Sequence, residues 1–247
     1  GDGSIVASTG WKQGSPDYAG FVGAWSVDGG TALLDFALPG RGNVVALDQD
    51  AQLLLAGADK GYLFFRNGGT SFGATPATLP LSASGDTALV TALSADGRLG
   101  MVASYQGELL LFPIVAGQPG TIARWQVPGS AYLHFAALSA DGRRAYLGAN
   151  NGMLYAIDVQ AYLASPGPRW QVAIPGGAKT IYGVACSANG ARVAVAGNLP
   201  KGGTVSMFED KGAHGALIWS ASTQRSPNDV SFDASGRWLA LADGHPD

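Results

Sequence analysis

The sequence contains a single cysteine, Cys186, among 247 residues. One thiol excludes an internal disulfide and a cysteine-based metal cluster. Only three histidines are present, His134, His214 and His245, and none stands in a His-x-x-His or His-Glu-x-x-His pattern. Because a metal site made of protein ligands usually needs three or four of them, we expect no metal site.

Charge and long apolar runs are also scarce. Charged residues make up 13% of the chain, and the net charge is −3, without a block of one sign. This balance offers no basic surface, so we expect no nucleic-acid partner. No apolar run approaches the roughly 18 residues that a membrane-spanning helix needs, and we therefore expect no membrane insertion.

Glycine, in contrast, is abundant, with 37 residues, and hydrophobic residues make up 47% of the chain. Only two of the 18 acidic residues are glutamate, Glu108 and Glu209, and the others are aspartate. Glutamate favours helices, whereas aspartate favours turns. The composition therefore predicts short elements joined by many turns.

A motif of about ten residues recurs along the whole chain. It reads LVTALSADGR from Leu89, HFAALSADGR from His134, YGVACSANGA from Tyr182 and NDVSFDASGR from Asn228, with a divergent copy, NVVALDQDAQ, from Asn43. The first residues, GDGS, fit the same turn. Because the copies start about 46 residues apart, we expect repeats near residues 1, 43, 89, 134, 182 and 228 in a single domain over residues 1–247.

Each repeat contains four short apolar runs. A second run follows the turn, as in LLLAG or AYLGA, a third begins with glycine, as in GYLFFRN or GTVSMFED, and the fourth often carries tryptophan, as at Trp125, Trp170 and Trp219. Such runs predict four antiparallel strands per repeat. The pair Asn151-Gly152 predicts a type I′ turn, in which both central residues have positive φ.

Four-stranded repeats of this length are typical of β-propeller blades. The S-A-D-G-R turn with its following strand resembles the WD-repeat and wider quinoprotein-like propellers, and GANNGMLYAID…RWQVAIPG resembles the quinoprotein-type repeat. The resemblance implies an all-β propeller of four-stranded antiparallel blades, with five to six repeats present and six or seven blades when complete. It also implies that a fourth-strand tryptophan docks on the neighbouring blade. Quinone binding is not implied, because the full Asp-x-x-Thr-Gly element is lacking.

Most polar repeat positions have a structural interpretation. Cys186 aligns with apolar residues, so we expect it in the core. The acidic residues at the turns and at the ends of third strands are predicted to be structural; they are Asp2, Asp50, Asp96, Asp141, Asp28, Asp158 and Glu209. Two carboxylates that do acid–base chemistry would break the repeat, and no such pair stands out. We therefore expect no catalytic residue and no cofactor.

The heads of the first strands form one candidate surface. In a propeller they lie near one mouth of the central channel, and here they are Asn43, His134, Tyr182 and Asn228, with the adjacent Asp229. They could grip a small ligand or a side chain of a partner. The alternative is that they cap the strand starts and bind water.

A second candidate surface comes from long connections between second and third strands. The segments STGWKQGSPDYAG and GNLPKGG exceed their counterparts in other repeats, and they would be neighbours in a closed ring. The sector carries Trp11, Tyr18, Asn198, Lys201 and His245. Loops often carry function, and exposed Trp and Tyr favour partner contacts. Alternatively, the two aromatic residues fold back over a blade edge.

These observations predict a non-catalytic binding module or scaffold for a protein or peptide partner. One alternative is an enzyme or cofactor-binding propeller, quinoprotein-like or lactonase-like, with its site at the channel mouth. Another is a structural propeller that forms part of a larger chain or assembly. Scarce lysine and glutamate predict a periplasmic or secreted bacterial protein, with a cytoplasmic location as the alternative.

Overall fold

The computed structural model of the chain describes residues 3–13, 18–66 and 69–244. Strands dominate this part of the chain, and its one α-helix is short. Two compact units are present, formed by residues 1–124 and 125–247. The expectation of a single domain stays a prediction.

The strands up to residue 126 form sheets of three, four and five strands, and consecutive strands within each sheet pair antiparallel up to residue 119. In the third sheet, the last two strands both pair with the third strand. The strands of the first two sheets are β1 Ile5–Gln13, β2 Tyr18–Ser26, β3 Ala32–Leu38, β4 Val44–Leu47, β5 Leu53–Gly57, β6 Gly61–Phe65 and β7 Ala77–Leu79. Those of the third are β8 Ala88–Leu93, β9 Leu99–Ser104, β10 Glu108–Val115, β11 Gln118–Pro119 and β12 Ala123–Gln126.

The second unit contains two four-stranded antiparallel sheets and a two-stranded one. Their strands are β13 Leu133–Leu138, β14 Arg144–Ala149, β15 Met153–Asp158, β16 Trp170–Ala173, β17 Thr180–Cys186, β18 Arg192–Asn198, β19 Gly203–Asp210, β20 Gly215–Thr223, β21 Pro227–Phe232 and β22 Leu239–Asp243. Short 3₁₀ turns, Pro128–Ser130 and Pro175–Gly177, precede β13 and β17.

The strand predictions are confirmed, apart from the short extra strand β11 in the third sheet. The LLLAG run forms β5, and the GTVSMFED run forms β19. The sequence patterns did not predict the helix α1, Val159–Ala164, which is inserted between the third and fourth strands of its sheet. Asp158 caps it by accepting a hydrogen bond from the backbone N–H of Ala161 at 3.1 Å, so its predicted structural role is confirmed.

The core lies between neighbouring sheets, because second and third strands bury both of their faces. In the second unit, Tyr146, Ile181 and Phe208 are fully or almost fully buried in one cluster, and Cys186 packs against it. Cys186 is itself partly buried, so it contributes to the edge of the expected core. Burial raises the pKa of the Cys186 thiol to about 12.

We expect Cys186 to react slowly with thiol reagents in the folded protein. The thiolate is the reactive form, and the raised pKa keeps the thiol protonated at pH 8. Labelling by a chromogenic disulfide reagent at pH 8 should be at least about a hundredfold slower than in urea-unfolded chain. A difference below tenfold would contradict this packing.

One turn prediction is wrong. Gly152 has a φ of +73°, but Asn151 is not among the described non-glycine residues with positive φ, so the turn is not type I′. The Asn151 side chain instead accepts a hydrogen bond from the Met153 N–H at 3.1 Å and donates one to the Tyr155 hydroxyl at 2.9 Å. These two contacts stabilise a negative φ at Asn151.

The Ser-x-Asp turns between first and second strands are held by their own side chains. Ser94 Oγ donates to Asp96 Oδ1 at 2.7 Å, and Ser139 Oγ donates to Asp141 Oδ1 at 2.6 Å. Each carboxylate also accepts the backbone N–H two residues on. The structural interpretation of Asp96 and Asp141 is therefore confirmed, whereas Asp2 lies outside the described residues.

Candidate functional site

A β-bulge lies at the head of four of the five described first strands, and β4 is the exception. In β8, β13, β17 and β21 the register shifts by one residue, and the extra residue is Leu89, His134, Tyr182 or Asn228. A bulge leaves its extra residue outside the ladder and re-aims that side chain. All four residues are half-buried. Of the strand heads predicted as a candidate surface, His134, Tyr182 and Asn228 are therefore bulge residues, whereas Asn43 is not.

In the second unit, the bulges build an aromatic surface. The rings of Tyr132 and His134 lie 6.3 Å apart, edge to face, and those of His134 and Phe135 stack at 6.5 Å. Phe135 meets Tyr182 of the next sheet edge to face at 6.4 Å. Aromatic pairs at such distances stabilise each other. We call Tyr132, His134, Phe135, Tyr182 and Asp229 the strand-head surface.

Backbone packing brings this surface together. Strand β17 lies beside both β13 and β21. At Gly183, a Cβ atom would lie 2.9 Å from the Asp229 Cα, so glycine is required for the close approach of β17 to β21. Asp229 is thereby placed beside the strand that carries Tyr182.

The surface combines a neutral imidazole with a carboxylate. Burial lowers the pKa of His134, which therefore stays uncharged at neutral pH. Asp229 is exposed, and its Oδ1 accepts the Val230 N–H at 2.8 Å. Asn228 donates to the Gly244 carbonyl at 2.9 Å, which ties the head of β21 to the end of β22. The surface can thus offer aromatic contacts and one negative charge.

In the first unit, Asn43 acts as a bridge. Its side-chain amide donates to the Thr87 hydroxyl at 2.8 Å and to the Ala88 carbonyl at 3.2 Å. Both acceptors precede or begin β8, the first strand of the next sheet. For Asn43, the contacts favour the alternative of a residue that secures a strand start.

The second predicted surface has a different local structure from the one expected. Strands β1 and β2 pair without interruption from Ile5 with Ser26 to Gln13 with Tyr18. Most of the expected long loop is therefore an extended hairpin, because cross-strand hydrogen bonds satisfy its backbone. Trp11 is 45% exposed, and the guanidinium of Arg41 lies 4.8 Å from its ring centre, within cation–π range.

The other residues of that sector are distributed as follows. Asn198 ends β18 and pairs with Gly203, and Lys201 lies exposed in the four-residue turn between them. Tyr18 begins β2, and His245 lies outside the described residues. Trp11 belongs to the first unit, whereas Asn198 and Lys201 belong to the second. That these residues form one partner-binding sector stays a prediction.

Sequence reasoning missed a buried ionic network centred on Asp210. The Trp170 indole donates to Asp210 Oδ1 at 3.0 Å, the Tyr146 hydroxyl donates to Oδ2 at 3.0 Å, and Arg169 forms an ion pair with the carboxylate. Arg144 lies 3.5 Å from Oδ2. Since Trp170 and Asp210 belong to neighbouring sheets, the implied docking of a fourth-strand tryptophan is confirmed.

The network determines the charge of Asp210. Burial alone would raise its pKa, but hydrogen bonds from the Gly212 N–H, Trp170 and Tyr146, with the charge of Arg169, lower the pKa below the ordinary value. The sequence signal for this network was an acidic residue that stands one position beyond its place in the repeat. Glu209 occupies the repeat position of Asp158, and Asp210 follows one residue later.

Two further features bear on function. Among residues 3–13, 18–66 and 69–244, no group of three or more His, Cys, Asp or Glu side chains is arranged to hold a metal ion. In the same part of the chain, no helix is long and apolar enough to cross a membrane.

No protein-family model and no curated protein matches the sequence. Solved structures do resemble it. Sqt1 of Chaetomium thermophilum, bound to the N-terminus of the ribosomal protein L10, has a TM-score of 0.74 at 18% identity, covering 96% of this chain and 66% of that one. The chain thus spans just under two thirds of Sqt1.

Two other structures are similar. The β-propeller domain of Cps50 (Swd1) from Myceliophteria thermophila gives a TM-score of 0.66 at 14% identity, over 97% of this chain and 79% of that one. A protein of Bacteroides uniformis assigned as a 6-phosphogluconolactonase gives 0.74 at 15% identity, over 98% and 75%. Together with the repeated four-stranded antiparallel sheets, these likenesses show that the chain has the β-propeller fold.

Proposed function

We propose that the protein is a non-catalytic binding module that holds a protein or peptide partner at the strand-head surface. The observation that carries the proposal is the aromatic series from Tyr132 through His134 and Phe135 to Tyr182, built on successive bulges. Binding of the L10 N-terminus by Sqt1, which has a similar fold, supports a peptide as the partner.

The chemistry of the surface suits a side chain with an apolar stem and a polar or cationic tip. Half-buried rings supply contact area at low entropic cost, because packing already holds them. The neutral imidazole of His134 can donate one hydrogen bond and accept another, and the carboxylate of Asp229 attracts a positive charge. The partner would thus be anchored by one or two residues rather than by a large interface.

The test begins with a peptide selected from a display library on the purified chain. We expect Tyr182→Ala to weaken binding of that peptide at least about tenfold in calorimetry, since buried aromatic contacts dominate such interfaces. Trp11→Ala serves as the matched control, because it removes an aromatic ring from the other predicted surface.

The peptide affinities of the two variants distinguish between the two candidate surfaces. If Trp11→Ala weakens binding and Tyr182→Ala does not, the partner binds the sector of Trp11, and the strand-head proposal is wrong. If neither variant changes the affinity, both surfaces are excluded as the binding site. The folded state of each variant is checked by its thermal transition.

A second candidate function is lactone hydrolysis, favoured by the likeness to the Bacteroides uniformis protein assigned as a 6-phosphogluconolactonase. Titrimetric assay of the purified chain with 6-phosphogluconolactone separates the two functions. Turnover above the spontaneous rate that is abolished by His134→Ala would support the enzyme. It would also displace peptide binding as the role of this surface.

A further inference from the structure

A cavity of about 600 Å³ lies within the first unit, at the sheet edge opposite the strand heads. The turn between β4 and β5 contributes Asp48 and Asp50, and the turn between β8 and β9 contributes Asp96 and Arg98. Apolar walls come from Phe65 and from the stretch 113–117. The volume is within the range of small-ligand sites.

The turn between β4 and β5 departs from the repeat at this cavity. The other described turns at this position each combine a hydroxyl with a carboxylate or amide oxygen, as in Ser94 with Asp96. In the turn between β4 and β5, both positions are carboxylates, Asp48 and Asp50. Neither can donate to the other when ionised, so the pair repels where its counterparts attract. Among the described turns at this position, this is the one that carries two carboxylates.

The Asp48 side chain is buried without a counter-ion. The residue is only 8% exposed, and its Oδ1 accepts the backbone N–H of Leu53 at 2.8 Å. No side-chain donor and no cation of the described residues reaches either oxygen. A Cβ added at Gly97 would lie 2.8 Å from Oδ2, so this oxygen packs against the turn between β8 and β9, and both turns line the cavity.

The two arginines nearby have partners other than Asp48. Arg98 is 85% exposed at its side chain and lies 3.8 Å from Asp96. Arg66 donates to the carbonyl oxygens of Ala51 and Gly69 and does not line the cavity. Three carboxylates and one guanidinium leave the cavity with an excess of negative charge. Burial also raises the pKa of Asp48, although the backbone N–H groups of Leu53 and Gln52 lower it in part, as expected for a buried carboxyl group without a cationic partner.

We infer that this cavity binds an organic cation, an ammonium or guanidinium group on a hydrocarbon body, with Asp48 as its counter-ion. The carboxylates neutralise the charged head, and Phe65, Ile114 and Val115 cover the hydrocarbon. A free amine and a lysine side chain of a partner chain share this chemistry. The site is distinct from the strand-head surface and does not depend on the function proposed for it.

Calorimetry with the intact chain tests the inference. The probes are 2-phenylethylammonium, its neutral analogue 2-phenylethanol, and an acetylated Gly-Lys-Gly amide. We expect the ammonium to bind at least about tenfold tighter than the alcohol, because only the ammonium pairs with Asp48. Tighter binding of the tripeptide than of the free amine would identify a partner chain as the source, and the reverse order would identify a small molecule.

The decisive variant is Asp48→Ser, which introduces the residue found at Ser94, Ser139 and Ser187 and should therefore fold. It is expected to weaken binding of 2-phenylethylammonium at least about tenfold. Glu209→Gln removes the same charge from an exposed site in the second unit and should leave binding unchanged. Equal binding of ammonium and alcohol, unchanged binding by Asp48→Ser, or no binding of any probe at millimolar concentration would overturn the inference.

Discussion

Replacing Asp210 with asparagine is expected to lower the free energy of unfolding by about 3 kcal/mol or more. The side chain of Asp210 is 4% exposed and is the common partner of Tyr146, Arg169 and Trp170. Removing its charge leaves Arg169 partly buried beside an amide that cannot neutralise it. Urea denaturation at pH 7 measures the change.

Glu209→Gln is the matched control for this substitution. The neighbouring glutamate is 43% exposed and pairs with Lys211 at 2.7 Å, so its loss should change stability by no more than about 0.5 kcal/mol. Similar small effects of both variants would show that the network does not stabilise the fold.

The same network makes stability depend on pH in a defined direction. The pKa of Asp210 is lower in the folded protein than the ordinary value of 3.8. A lowered folded pKa means that the unfolded chain binds its proton first. The stabilisation is therefore complete above the ordinary carboxyl pKa and is lost as the pH falls through the folded pKa. In Asp210→Asn this part of the acid dependence should disappear.

Gly152→Ala is expected to cost about 3 kcal/mol of stability. Gly152 has a φ of +73°, which is unfavourable for alanine, and an added Cβ would lie within 2 Å of the Ala178 carbonyl oxygen. Because that oxygen belongs to the backbone before β17, relief requires a backbone shift in the next sheet, and overpacking adds to the cost of φ. Thermal or urea unfolding measures the change.

Gly129→Ala separates the cost of the positive φ from the cost of the steric contact. Gly129 has a φ of +77°, but a Cβ there would meet no atom within 4 Å. Its substitution should cost only the conformational term, about 1 kcal/mol. Equal losses for Gly152→Ala and Gly129→Ala would mean that the close approach at Ala178 contributes nothing.

The sequence repeat predicted the fold because the repeated apolar runs and turns determine local secondary structure. Runs such as LLLAG and GTVSMFED, bounded by glycine and aspartate turns, are long enough for one strand only, and they form β5 and β19. The helix α1 was not predicted because it occurs in one connection only, so the comparison of repeats gave no pattern for it. The type I′ turn was wrong because the Asn151 side chain, rather than the backbone, determines the turn.

The sites were harder to predict because they depend on contacts between repeats. His134 and Tyr182 were candidates because of their residue types. Their position in β-bulges could not be predicted, because a bulge does not change the spacing of the repeats. Asp210 was missed because it lies one residue beyond the aligned position. The sequence shows Asp48 at a position where three other repeats have serine. Its burial could not be predicted, because it results from contact with the turn of the next sheet.

The bulges also place side chains of different types on strands that are otherwise alike. Four equivalent positions hold leucine, histidine, tyrosine and asparagine, although the strands around them are alike. Since each of these residues stands outside the ladder, its replacement leaves the flanking strand pairs in place. Substitutions at such positions are expected to change the local surface chemistry while the sheets persist.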